Sequence, residues 1–417
     1  MKLFRKIFTS GLVLAALTTG FTACNKLELD PTPIVAPTQA TSPTLLSLLD
    51  DPNYSILKAA VLRASTVPGV SPTLAQQLGA PTLKFTLFAP DNNAFIASGI
   101  PSAAAIATLP ATTLYSIVSY HIMPQVVRST TITSSFPNFQ YPSILNPAPS
   151  VSALLRLTTF PSVRGSAAWV NNVPITAVNT EAVNGVLHKV AFLVAPPSTY
   201  LADRINTDAE LTYLKAAIQR ADSGVVAGSR IADALSNIGA NLTVFAPTDE
   251  AFETFLVGAI TRYLVSQGAP LVVADAQANA LVGGYGTLLL SNPGSIPVYG
   301  PALASVITPT LAKGIVVYHV LSAQSGTYAP PGIRAFTNNF PTTATAVKTL
   351  LNSAVAVHPG VTISATFAGP FVAAATVKGA ANATASNLII SAPPSNTHDL
   401  HHLNGVLHKI DQVLLPQ

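Results

Sequence analysis

Thr86-Leu87-Phe88-Ala89-Pro90-Asp91-Asn92-Asn93-Ala94-Phe95 returns later in the chain as Thr243-Val244-Phe245-Ala246-Pro247-Thr248-Asp249-Glu250-Ala251-Phe252, an offset of 157 residues from 86 to 243. The same offset carries Leu57-Lys58-Ala59-Ala60 onto Leu214-Lys215-Ala216-Ala217 and Arg63-Ala64 onto Arg220-Ala221. Further on, Tyr120-His121 pairs with Tyr318-His319 at an offset of 198, and Asn184-Gly185-Val186-Leu187-His188-Lys189 with Asn404-Gly405-Val406-Leu407-His408-Lys409 at 220. Copy two therefore holds 41 extra residues before its Tyr-His and 22 more after it. A period this long marks two tandem domains and not a solenoid of small units.

Each block has a local reading. Phe85 to Phe88 reads as a strand entering the core, and Pro90 or Pro247, lacking an N–H, ends its ladder. Asp91 or Thr248 can cap the helix that follows, with Ala94 and Phe95, or Ala251 and Phe252, on its inward side. Before the strand, Ile56, Leu57, Ala60, Val61 and Ala64 share one helical face. A second helix is expected from about Thr112 to Tyr120, with Leu114, Ile117 and Val118 inward, and its counterpart ends at Tyr318. Asn184-Gly185 and Asn404-Gly405 read as tight turns because both residue types tolerate positive φ. Closing strands are expected over Val186 to Leu193 and Val406 to Leu415. The segment from about 258 to 310, private to copy two and containing Gly283-Gly284-Tyr285-Gly286 and Pro293-Gly294, reads as a long flexible loop.

The T-x-F-A-P-x-x-x-A-F block, the central Tyr-His and the late N-G-x-x-H, in this order and in both copies, resemble the fasciclin-type (FAS1) domain over roughly residues 44 to 416. The resemblance implies an α/β (α+β) chain of two tandem FAS1-like domains, each a β-sandwich-like wedge flanked by helices. Domain one would span 44–197 and domain two 198–417, joined at the stiff Pro196-Pro197-Ser198. It further implies adhesion or binding at cell surfaces and matrices, not catalysis, with Tyr120, His121, Tyr318 and His319 as adhesion determinants and no cofactor.

The amino terminus sets the compartment. Met1-Lys2-Leu3-Phe4-Arg5-Lys6 and the apolar run through Leu17 read as a signal peptide over 1–23, too short to span a bilayer comfortably. Phe21-Thr22-Ala23-Cys24 looks like a bacterial lipoprotein box, so Cys24, the only cysteine, is the expected lipidation site. Residues 24–43, punctuated by Pro31, Pro33, Pro37 and Pro43, read as a tether. The expected location is a bacterial cell envelope, as an outer-membrane lipoprotein whose exposure at the cell surface is left open.

Composition narrows the partners. Removing Lys2, Arg5 and Lys6 leaves 18 basic against 17 acidic residues, with no electrostatic footprint for nucleic acid. Charged residues make up 9%, against a typical share of about 25%, so the surface rests largely on neutral polar groups. His121, His188, His319 and His408 lie among apolar neighbours and read first as buried hydrogen-bonding groups. His398, His401 and His402 form the densest cluster of metal-ligand types, private to copy two, though such clusters are mostly solvated loops. The acids Asp249 and Glu250 meet Asn92 and Asn93 in copy one and suit a helix N-terminus. G-x-S-x-G, H-E-x-x-H and the P-loop pattern are absent from the sequence.

The expectation is a lipid-anchored extracytoplasmic adhesion protein whose partner is an extracellular-matrix or cell-surface polymer or protein, and which meets the membrane only through its lipid. The binding surface is placed on domain two, at Tyr318-His319 and the inserted segment with Tyr285. Two rivals stay open: a carrier of small hydrophobic ligands, and a hydrolase built on His319 or His408.

Overall fold

Leu87 and Phe88 face opposite sides of one strand, and that alternation organises each domain. In the computed structural model, which describes residues 42–321, 333–392 and 395–417, the strands Phe85–Pro90 and Leu242–Pro247 are buried along their whole length. Phe85, Leu87 and Ala89 meet a helical layer holding Ile56, Leu57, Ala60, Val61 and Phe95. Phe88 turns the other way, toward Tyr120, Met123, Val170 and Val190. In domain two Leu242, Val244 and Ala246 pack with Leu214, Ala217 and Phe252, while Phe245 joins Tyr318, Phe340, Ile363 and Val377. A side-chain period of two thus places a helical layer on one face of the central strand and a β-layer on the other.

In both copies the central strand pairs in parallel with the late N-G-x-x-H strand, in one shared register: Phe85 opposite Gly185 to Pro90 opposite Val190, and Leu242 opposite Gly405 to Pro247 opposite Ile410. Beyond that pair the copies part. Domain one continues into a six-stranded sheet through Val173–Ala182, Ala167–Val170 and Pro161–Arg164. Domain two keeps a three-stranded sheet and builds a separate four-stranded one around the hairpin Val361–Ala368 and Phe371–Lys378.

The caps are those the sequence indicates. Asp91 Oδ1 accepts from Ala94 N at 2.8 Å and Thr248 Oγ1 from Ala251 N at 3.3 Å, each worth about 1 kcal/mol of helix stability.

Two local expectations need correction. Asn184 and Asn404 do end the expected tight hairpin turns, after Val183 and Leu403, but neither takes a positive φ there. Their side chains are buried staples: Asn184 Oδ1 accepts from Leu45 N at 2.7 Å while its amide donates to Leu78 O, and Asn404 repeats this with Leu201 N at 3.0 Å and Leu235 O. The glycines are required by close approach, since a Cβ on Gly185 would lie 1.9 Å from Phe85 O, and one on Gly405 2.5 Å from Leu242 O. The segment from 258 to 310 is no flexible loop. The helix after the second strand runs on as Asp249–Ser266 and folds against Leu271–Tyr285. Ala274, Ala278, Leu281 and Val282 recur at helical spacing and are buried, while Gly283 and Gly284 fall in the last turn before Gly286, at φ 52°, ends the helix.

The expected signal segment 1–23, Cys24 and almost all of the tether 24–43 lie outside the described residues. Among the described residues no single helix is long and apolar enough to cross a membrane.

Candidate functional site

The four histidines shared by the two copies form two matching pairs of internal ties. His121 closes the helix Ala111–Tyr120: its Nδ1 donates to Ile117 O at 2.8 Å and its Nε2 accepts from Val194 N at 3.0 Å. His319 does the same after Pro309–Tyr318, through Ile315 O at 2.8 Å and Leu414 N at 2.9 Å. Each ring bonds a helix carbonyl on one side and the exit of the closing strand on the other, an arrangement only the neutral tautomer satisfies. Burial pushes both down to about 4.

His188 and His408 make the second pair. His188 Nε2 donates to Val127 O at 2.8 Å and its Nδ1 accepts from Asn179 N at 3.2 Å; His408 repeats this with Ala335 O at 2.9 Å and Asp399 N at 3.1 Å. Asn179 and Asp399, at φ 59° and 52°, take the left-handed conformation in their respective copies. Phe88 and Phe245 lie 5.8 Å, centroid to centroid, from the His188 and His408 rings. Burial lowers both histidines. With both ring nitrogens engaged, neither His319 nor His408 offers the free base a hydrolase needs.

The tyrosines are likewise internal. Tyr120 Oη donates to Thr158 O at 2.8 Å and accepts from Asn171 Nδ2 at 3.0 Å. Tyr318 Oη donates to Gly360 O and accepts from Ala380 N at 2.9 Å. Tyr120, His121, Tyr318 and His319 are all buried, so a partner does not reach them directly and any part they take in binding runs through the corner they hold. Tyr285 is partly buried against the helical core of domain two.

His398, His401 and His402 diverge. His398 Nδ1 accepts from Ser395 Oγ at 2.8 Å, His402 Nδ1 lies 3.2 Å from Thr199 Oγ1, and His401 Nε2 accepts from Arg334 Nη1 at 3.1 Å. His401 and His402 are neighbours on the strand Leu400–His402, whose pleat sends them to opposite faces. Among the described residues no group of three or more potential ligands could hold a metal ion.

His401 instead marks a seam between the domains that the sequence did not announce. Its ring lies 5.3 Å from Phe336, 6.1 Å from Phe160 and 6.4 Å from Tyr120. Arg334, buried and with no carboxylate partner among the described residues, donates to Asn241 Oδ1 at 2.7 Å, His402 O at 3.2 Å and Leu403 O at 2.6 Å, and lies over the Phe160 ring at 5.7 Å. Burial lowers it to about 10, so it stays a cation at neutral pH. Trp169 Nε1 donates to Pro370 O at 3.0 Å and Asn338 Nδ2 to Asn171 O at 2.7 Å, both across the seam. The signal available in sequence was Arg334 itself, a charge amid Gly-Ile-Arg-Ala-Phe in a chain with few charges.

The fasciclin-domain family model matches residues 57–196. Over those residues the chain is similar to a fasciclin domain. That fasciclin match covers the first copy; the second copy repeats its parallel register, histidine ties and asparagine staple. Among solved structures, the chain is similar to a FAS1 domain pair from the insect cell adhesion molecule Fasciclin I, at 13% identity and a TM-score of 0.31, over 80% of this chain and 88% of that one. No curated protein matches.

The apolar cavity between Phe252, Phe255, Leu290, Val306, Leu311 and Ile315 holds about 30 Å³, the volume of one water. Holding a larger ligand in this cavity would require these helices to part.

Proposed function

We propose that this protein is an extracytoplasmic adhesion protein, tethered by lipid on Cys24 to a bacterial outer membrane, that presents its fasciclin-type domains to a matrix or cell-surface polymer or protein. The observation that carries this reading is the fasciclin match over residues 57–196, since fasciclin domains are associated with cell adhesion. The lipid anchor is supported by Phe21-Thr22-Ala23-Cys24 behind a basic and then apolar amino terminus. The non-enzymatic reading is supported by histidines whose ring nitrogens are engaged internally. Beads coated with residues 44–417 should attach to the native matrix or cell surface, whereas equal attachment by uncoated beads overturns the reading. Cys24→Ser should move the protein from the membrane to the soluble fraction, and unchanged membrane association would place the anchor elsewhere.

A further inference from the structure

Lys58 and Lys215 are the same residue of the repeat, yet only one has an acid partner. In copy one Lys58 Nζ forms an ion pair with Asp50. Leu45 and Leu201, which receive the same asparagine staple, are related by an offset of 156, and that offset turns Asp50 into Asn206. Among the described residues Lys215 Nζ then reaches only the backbone carbonyl of Asn206, at 3.5 Å, and has no counter-ion.

Two more differences fall at the same place. Leu62, 49% exposed in copy one, becomes Gln219 one helical turn from Lys215. The short helix Leu288–Ser291, which lies in the extra residues of copy two, packs against Thr212–Ala221 and adds Thr287 and Ser291 as a wall. The result is a polar groove of about 240 Å³ with Ile205 and Ala216 among its lining residues. Asp208 on its rim is already engaged, by Lys409 Nζ at 2.8 Å and Arg204 Nη2 at 2.7 Å, and Thr212 Oγ1 donates to Asp249 at 2.6 Å. Lys215, the Gln219 amide and the Thr287 hydroxyl remain for a ligand, as among the described residues neither Gln219 nor Thr287 places its side chain in a hydrogen bond.

We infer that this groove binds one uronate unit of an acidic polysaccharide, a reading that rests on the adhesion function and names its partner class. Lys215 supplies the cation for the carboxylate, the Gln219 amide and the Thr287 hydroxyl exchange hydrogen bonds with ring hydroxyls, and the Ser291 hydroxyl, which donates to Thr287 O at 3.2 Å, can accept one. Copy one has the paired lysine and an exposed leucine at these positions, so it binds none.

The test is calorimetric titration of residues 44–417 at low salt with trigalacturonate and, as neutral match, maltotriose. Trigalacturonate should bind one per chain and maltotriose at least ten-fold more weakly. Lys215→Gln and Gln219→Leu should each lower the uronate affinity several-fold to ten-fold or more without shifting the melting temperature, while Lys58→Gln should leave it unchanged. Absence of uronate binding, equal binding of maltotriose, or full affinity in Lys215→Gln overturns the inference. Attachment separates the two readings: beads that attach equally well with Lys215→Gln sink the groove and keep adhesion, whereas uronate binding by a protein that attaches to nothing keeps the groove and sinks adhesion.

Discussion

Lys189 and Lys409 stand at one position of the repeat and answer to different acids. Lys189 pairs at 2.7 Å with Asp91, the helix cap of its own strand-to-helix corner, and stays 37% exposed. Copy two has Thr248 at that cap, so Lys409 turns to Asp208 at 2.8 Å and Glu210 at 2.6 Å, with its side chain 3% exposed. The hydrogen-bonded frame of Asn184, His121 and His188 is repeated atom for atom in copy two, while the ion pairs are rewired around it. A buried histidine tie tolerates no alternative because an orphaned polar atom in the core is costly, whereas an ion pair near solvent can be exchanged at little cost.

If the frame is shared, its parts should have equal value in both copies. Phe88→Ala and Phe245→Ala should each cost about 3 to 5 kcal/mol in denaturant unfolding, the range for truncating a buried aromatic. A clear inequality between them would break the equivalence of the two cores.

The rewired pairs should differ. Asp208→Asn leaves Lys409 buried and half-paired and should destabilise by about 3 kcal/mol or more. Asp91→Asn keeps a capping side chain and loses only a partly exposed pair, so about 1 kcal/mol or less is expected. Equal costs would show that burial does not separate the two lysines.

Acid should act on both copies through the same histidines. His121 and His319, held at about 4 in the folded chain against 6.5 when unfolded, take up protons more readily unfolded. Stability is therefore complete above about pH 6.5 and falls as pH drops toward 4, by about 3 kcal/mol per histidine. Urea midpoints measured at intervals from pH 7 to 4 give the slope; a flat profile would mean that the histidines are not buried in the neutral form.

The glycine beside the staple gives one more comparison. Gly405→Ala should cost about 1 to 3 kcal/mol by overpacking, and Gly185→Ala more within that range because its Cβ would approach the neighbouring carbonyl more closely. Melting curves of the two variants would sharpen the comparison, and a neutral Gly185→Ala would contradict the close approach.

The repeat by itself determined the tandem copies, the strand-to-helix corner with its proline stop and Asp91 or Thr248 cap, and the burial of the core histidines, because those features follow from local propensity and a period of two or 3.6 residues. It also pointed to the fasciclin family. What it misread was contact between distant segments. Asn184 reads as a turn residue and no more until Leu45 and Leu78 are seen closing on its amide, and Gly283-Gly284 reads as a loop until the Asp249–Ser266 helix covers the alanine face beside it. The Arg334 seam, the divergence of His401 from His402, and the release of Lys215 from an acid partner were decided only by tertiary structure. Each depends on which side chains long-range packing brings within hydrogen-bond reach, and spacing along one sequence does not carry that information.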